Sequence, residues 1–148
     1  YHLKAGALPE KNLPTGVARI ARPGRHATIV AYSAMVHEAL KAANDLHSAG
    51  WEIEVVDLRT TKPIDTDTIL ASVARTGRLL CVSEGFPYGG VSSEVISRVV
   101  SEGFHLLDAP PQRLSSRDTP IPYHPNLWKT HRPTWQTIAD ATRALLAR

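Results

Sequence analysis

Apolar positions along this chain follow two periods, and they alternate. Residues 17–21 and 26–32 are short apolar and β-branched runs separated by Arg22, Pro23, Gly24 and Arg25. Pro presets φ at the second position of a turn and Gly supplies positive φ at the third, so the pattern predicts two strands in a tight antiparallel connection. Ser33 then stands at the N-cap of a predicted helix whose inner face is Val36, Ala39, Leu40, Ala43 and Leu46 and whose stop is Gly50. Residues 51–57 read as a strand. After Pro63, Asp65 caps a helix carrying Ile69, Leu70 and Val73 and ending at Gly77. Residues 78–83 are an apolar strand, residues 85–90 a glycine-rich loop, and Val91, Val95, Ile96, Val99 and Val100 the next helix, closing at Gly103. Short strands are expected at 105–108 and 112–114, irregular proline-rich chain over 115–133, and a last helix capped by Thr134 with Ile138, Ala141 and Leu145 inside.

Strands alternating with helices, with strands apolar on both faces, define an α/β fold. The expectation is three layers: a mostly parallel sheet of about five strands, one antiparallel edge strand, and helices on both faces. Residues 16–148 form the domain. Residues 1–15, with Gly6, Pro9 and Pro14 and no sustained period, read as a linker from a missing upstream domain, in keeping with a first residue, Tyr1, that is not Met.

Composition narrows the function classes. The 148 residues suit one domain that buries roughly 70% of its unfolded surface. One cysteine excludes an intrachain disulfide framework and the paired-cysteine zinc modules. The formal charge of +3 comes from arginines scattered among acids, not a basic stripe with stacking aromatics, which argues against nucleic acid as a partner. No apolar run reaches the ~20 residues of a membrane span and no signal peptide is evident, so the expected compartment is cytoplasmic.

Candidate chemistry is sparse. The first strand-to-helix crossing, residues 31–36, has no glycine and so lacks the dinucleotide fingerprint. The loop 84–90 precedes a helix and could cradle a phosphate or carboxylate, but it lacks a P-loop Lys and Ser/Thr. Its other reading is close packing against a neighbouring domain or subunit. No metal-ligand spacing joins the seven histidines, Cys81 lies in an apolar strand, and no nucleophile elbow of the Gly-x-Ser-x-Gly type occurs. No catalytic, cofactor-binding or metal residue is assigned.

Several stretches in order carry a resemblance. They are Ala27 to Leu40, Val55 to Asp65, Thr76 to Arg78, Glu84 through Gly89 and Gly90 to Glu94, Leu107 to Pro110, Arg113, and Asp118 to Tyr123. Together they resemble the C-terminal domain of the transketolase-like thiamine enzymes, and most closely the β subunit of the 2-oxo acid dehydrogenase E1 component of pyruvate, branched-chain or acetoin type. The resemblance implies a parent enzyme that uses thiamine diphosphate and Mg²⁺ to decarboxylate a 2-oxo acid oxidatively and pass the acyl group to the lipoyl group of E2. It also implies that this domain alone binds no cofactor and serves assembly. The implied partners are the E1 α part, a second β copy in an α2β2 or fused dimer, and in some members the subunit-binding domain of the E2 acyltransferase. The implied interface candidates are Phe86, Tyr88, Gly89, Gly90, Glu94, Asp108, Tyr123 and Trp128. The compartment would then be the cytoplasm or the mitochondrial matrix. Where the family often carries Leu-Glu, this chain has Leu127 and Trp128, which leaves open a separate β subunit or a fused α–β chain. The alternatives are a transketolase or deoxyxylulose phosphate synthase domain, and a free-standing α/β module that binds a small ligand.

Overall fold

Strand β2 (Ala27–Ala31) is buried at every residue, and the rest of the fold is arranged on its two faces. The computed structural model describes residues 13–148. The other strands are β1 (Arg19–Arg22), β3 (Ile53–Asp57), β4 (Leu79–Val82) and β5 (Gln112–Leu114). The helices are α1 (Ala34–Ser48), α2 (Thr66–Thr76), α3 (Val91–Gly103), α4 (Pro125–His131) and α5 (Trp135–Leu146). The sheet runs β1-β3-β2-β4-β5, parallel except for β1.

Alternation within each strand sorts the core into two halves. Ile29, Val55, Leu80 and Val82 meet Met35, Ala39 and Leu46 of α1 and Ile138 and Leu145 of α5. On the opposite face Val30, Val56, Leu79 and Cys81 meet Ile69 and Val73 of α2 and Val95 and Val99 of α3. The three-layer α/β expectation, with one antiparallel edge strand, holds. Cys81 is buried, and burial pushes its thiol far above the ordinary value.

Capping follows the sequence in two helices. Asp65 accepts from Thr68 N at 3.0 Å and also from Ala18 N at 2.9 Å, tying α2 to the approach to β1. Burial alone would raise the Asp65 carboxyl, but these donors and the Thr68 hydroxyl outweigh it and hold the group below the ordinary range. Thr134 forms a capping box with Thr137 at the start of α5, whose Trp135 N donates to Glu38 of α1 at 2.9 Å.

Four local expectations need correction. First, β1 does not pair with β2. It pairs antiparallel with β3, Arg19 opposite Asp57, and the turn at residues 22–25 passes over the start of β3. Arg25 N and His26 N both donate to Glu52 O at 3.0 Å, and a β-carbon on Gly24 would run into the backbone of Ile53 and Glu54. Gly24 thus serves close approach rather than positive φ. Second, Ser33 precedes α1 but its side chain makes no capping bond; its backbone sits at φ 55°, ψ −139°. Third, residues 105–108 are not a strand: a 3-10 turn, Phe104–Leu106, continues α3 past Gly103. Fourth, the proline-rich stretch contains α4, with Pro125 in its first turn. Of the linker reading, residues 1–12 lie outside the described residues, and Leu13 to Thr15 are exposed.

A polar cluster sits under α2. Glu54, 2% exposed, accepts from Ser72, from Arg75 Nη2 at 2.6 Å and from Gly24 N at 3.4 Å. Thr28 of β2 bonds Ser72 and Thr76 at 2.8 and 2.7 Å.

Two stability outcomes follow. Gly24→Ala forces the turn off β3 and is expected to cost about 1–3 kcal/mol in urea unfolding; a loss below about 0.5 kcal/mol would show that the crossing has slack. Cys81→Asp places a carboxylate between two apolar layers and is expected to cost about 3–5 kcal/mol. In the native protein a bulky thiol reagent should label Cys81 far more slowly than in urea; rapid native labelling would contradict its burial.

Candidate functional site

The carboxyl ends of β2, β4 and β5 open on one edge of the sheet, and the chain order reverses between β2 and β4. In open α/β sheets that is where surface chemistry collects. Here the edge is built by three segments: Tyr32 and Ser33 after β2, the loop Ser83 to Gly90 after β4, and residues 115–134 after β5. Burial raises the Tyr32 phenol, a hydrogen bond with Ser83 opposes the rise, and the Glu84 charge adds to it.

Backbone and side-chain bonds lock the second and third segments together. Ser83 N donates to Leu114 O at 3.1 Å, and Ser116 N to Gly85 O at 3.1 Å. The Ser116 hydroxyl donates to Glu84 O at 2.7 Å. Arg132, just beyond α4, reaches Glu84 Oε1 at 3.2 Å, with both side chains largely withdrawn from solvent. His131 is buried at the centre. Its ring lies edge-on to Phe86 with centroids 6.2 Å apart and stacked on Trp128 at 6.4 Å. Arg117 N closes the segment onto His131 O at 3.0 Å.

The loop itself is braced from β5. Arg113 Nη1 donates at 2.6 Å to both Pro87 O and Ser93 Oγ. Gly89 adopts φ +62°, which a side chain would strain, and a β-carbon there would meet nothing within 4 Å. Gly90 is ordinary extended chain, φ −81°, and a β-carbon there would stand a tight 3.0 Å from Phe86 O. The turn therefore requires Gly89, while Gly90 is small for proximity to the loop backbone.

The expected interface residues divide accordingly. Phe86, Tyr88, Gly89, Gly90, Tyr123 and Trp128 fall on this one edge. The large apolar side chains there stay open to solvent: Tyr88 is 78% exposed, Tyr123 fully so, and Ile121 and Leu127 join them. Glu94 lies in the first turn of α3, paired with Arg98 at 2.8 Å. Asp108 does not belong. It sits at the opposite edge, where its N–H donates to Gly77 O at 2.7 Å. Sequence reasoning missed Glu84, His131 and Arg132, which hold the surface together. Each lies in a segment without period, and a seven-residue helix offers too few turns to show one.

Among the described residues no three His, Cys, Asp or Glu side chains converge.

Comparison with known proteins bears on the family and the fold. The sequence matches the family described as "Transketolase, C-terminal domain" over residues 16–138. It is 41% identical over 133 residues to "Pyruvate dehydrogenase E1 component subunit beta" of Rhizobium meliloti, covering 90% of this chain and 29% of that one. It is 46% identical over 131 residues to "Pyruvate dehydrogenase E1 component subunit beta-1, mitochondrial" of Arabidopsis thaliana, covering 88% and 36%. The chain thus spans about a third of the length of the curated relatives it matches. Among solved structures, "Split gene transketolase, inactive beta4 tetramer" superposes with a TM-score of 0.85 at 24% identity, over 98% of this chain and 47% of that one. A sheet with one antiparallel edge strand, helices on both faces and a match covering most of its length place this chain in the transketolase C-terminal domain family, to which it belongs.

Proposed function

We propose that this chain is the C-terminal assembly domain of a thiamine diphosphate-dependent 2-oxo acid dehydrogenase E1, as a β subunit or as part of a fused α–β chain. The observation that carries the reading is the aromatic edge. Phe86, Tyr88, Tyr123 and Trp128 stay exposed on segments that the Glu84–Arg132 pair and the Arg113 brace hold in place. Exposed aromatics beside a glycine turn, on loops whose backbone is braced, are what a subunit contact uses, because they supply ring area to bury. The identity of 41% and 46% to pyruvate dehydrogenase E1 β subunits supports the dehydrogenase reading.

On this reading the whole enzyme decarboxylates a 2-oxo acid and hands the acyl group to the lipoyl arm of E2, with the cofactor and Mg²⁺ held outside this domain. Its partners on the edge are the E1 α part or a second β copy, with the E2 subunit-binding domain a further candidate. Residues 1–15 then act as the linker to a preceding domain, which fits the third of each relative's length that aligns. No helix among the described residues is long and apolar enough to cross a membrane. The compartment fitting the bacterial and plant relatives is the cytoplasm or the mitochondrial matrix.

Gly90→Leu tests the surface directly. The backbone at Gly90 accepts a side chain with a shift of a few tenths of an ångström from Phe86 O, so the isolated chain is expected to melt within about 1 kcal/mol of the parent. In the full-length enzyme the same substitution should shift sedimentation toward smaller species. Normal assembly of the variant would overturn the placement of the contact at this loop.

A further inference from the structure

At the edge where the strands begin, opposite the aromatic surface, lies a cavity of about 550 Å³. That size is within the range of small-molecule sites. Its walls come from the β1–β2 connection, the chain after α1, the end of α2, and the 3-10 turn. They present Arg25, His26, Trp51, Arg78, His105 and Asp108. Cationic and imidazole groups thus face a single carboxylate of the wall.

The pairings leave one of these cations only loosely met. Arg25 Nε is held by Glu52 at 2.8 Å. Arg75, also on the wall, spends its fork on Glu54 and on Ala71 O at 2.9 Å. Arg78 is different. Its nearest charge, Asp108, lies 3.7 Å away, beyond a hydrogen bond, and its Nε is buried without a partner among the described residues. Nor do the nearby carbonyls ending α2 answer it: Val73 O accepts from Gly77 N, Gly77 O from Asp108 N, and Arg78 O from Thr28 N. Asp108 is held back where it packs over Gly77. Arg78 lines the cavity on a side chain three-quarters withdrawn from water, and its Nη groups make no hydrogen bond among the described residues, so they are the donors an oxyanion in the cavity can take.

The geometry points to a second site in this cavity that binds a small organic phosphate without a metal. Arg78 receives the phosphoryl oxygens and Arg25 and His105 stand on the surrounding walls, giving more donors than a planar carboxylate uses. The His26–Trp51 edge-to-face pair, with centroids 5.3 Å apart and Trp51 partly exposed, gives the remainder of the ligand an aromatic wall. This inference does not rest on the assembly reading, since it uses the other edge of the sheet.

The test is calorimetric titration of this chain, without Mg²⁺, with AMP, inorganic phosphate and succinate. AMP is expected to bind most tightly, phosphate more weakly, and succinate weakest. Arg78→Gln should weaken AMP at least about tenfold, whereas Arg113→Gln, at the far edge, should leave it unchanged. His105→Ala alters an exposed side chain and should also weaken AMP, so the site stays testable if the Arg78 variant unfolds. Absence of AMP binding at millimolar concentration, succinate binding as tightly as AMP, or an AMP affinity in both cavity variants equal to that of the parent chain would overturn the site.

Discussion

One buried carboxylate organises the amino half of this fold. Glu54 lies in β3, between β1 and β2, on the face that α2 covers. An isolated carboxylate there would be severely destabilising, so the fold is obliged to bring it partners. Ser72 and Arg75 come from α2, and Gly24 N comes from the connection between β1 and β2. The three partners set how α2 lies across the sheet and where the connection crosses β3. From that crossing follow the edge position of β1, the reach of Ala18 N to the Asp65 cap, and the spacing of Arg75 from Arg78 at the end of α2. Apolar packing gives the domain its stability, but it would tolerate some sliding of α2. The carboxylate with its directional donors does not.

Period and capping signals made most of the fold legible before any coordinates. Strands β2 and β4 are apolar on both faces and can only be interior, and α1, α2, α3 and α5 carry stripes long enough to count. What stayed hidden depended on contacts between residues far apart in sequence. The Pro-Gly turn at residues 22–25 has the composition of a hairpin, and nothing local says that β3 will come between its arms. That depends on Glu52 accepting the amides of Arg25 and His26. Ser33 is a good capping residue by type, but the chain leaves β2 at an angle that turns its backbone to positive φ and takes its hydroxyl out of reach. The candidate surface was half legible. Gly89, Gly90 and their aromatic neighbours stand out in sequence, whereas the Glu84–Arg132 pair joins positions 48 residues apart. Asp108 is an interface candidate by resemblance alone, and the 3-10 turn before it carries it to the opposite edge from the loop.

The two ends of the sheet have different characters. At the carboxyl ends, side chains are exposed but their backbones are tied down by Ser116, Arg113 and Arg132, an arrangement suited to a broad protein contact. At the amino ends, side chains converge on a concavity lined by Arg25, Arg78 and His105. A parallel sheet makes this division natural, because every strand delivers its loops to the same pair of edges.

The lateral margins of the sheet carry a different consequence. A strand margin with free amides and carbonyls invites another chain to extend the sheet, and proteins blunt such margins with charge, irregularity or brevity. Strand β1 carries Arg19 and Arg22 and breaks register between Ile20 and Arg22. Strand β5 has three residues and follows directly on Pro110 and Pro111. Neither margin offers a long regular ladder for runaway strand-to-strand growth. A chain with several exposed aromatics at its loop edge is thereby guarded against sheet polymerisation: the strand ladder along which a fibre would propagate is missing from both margins.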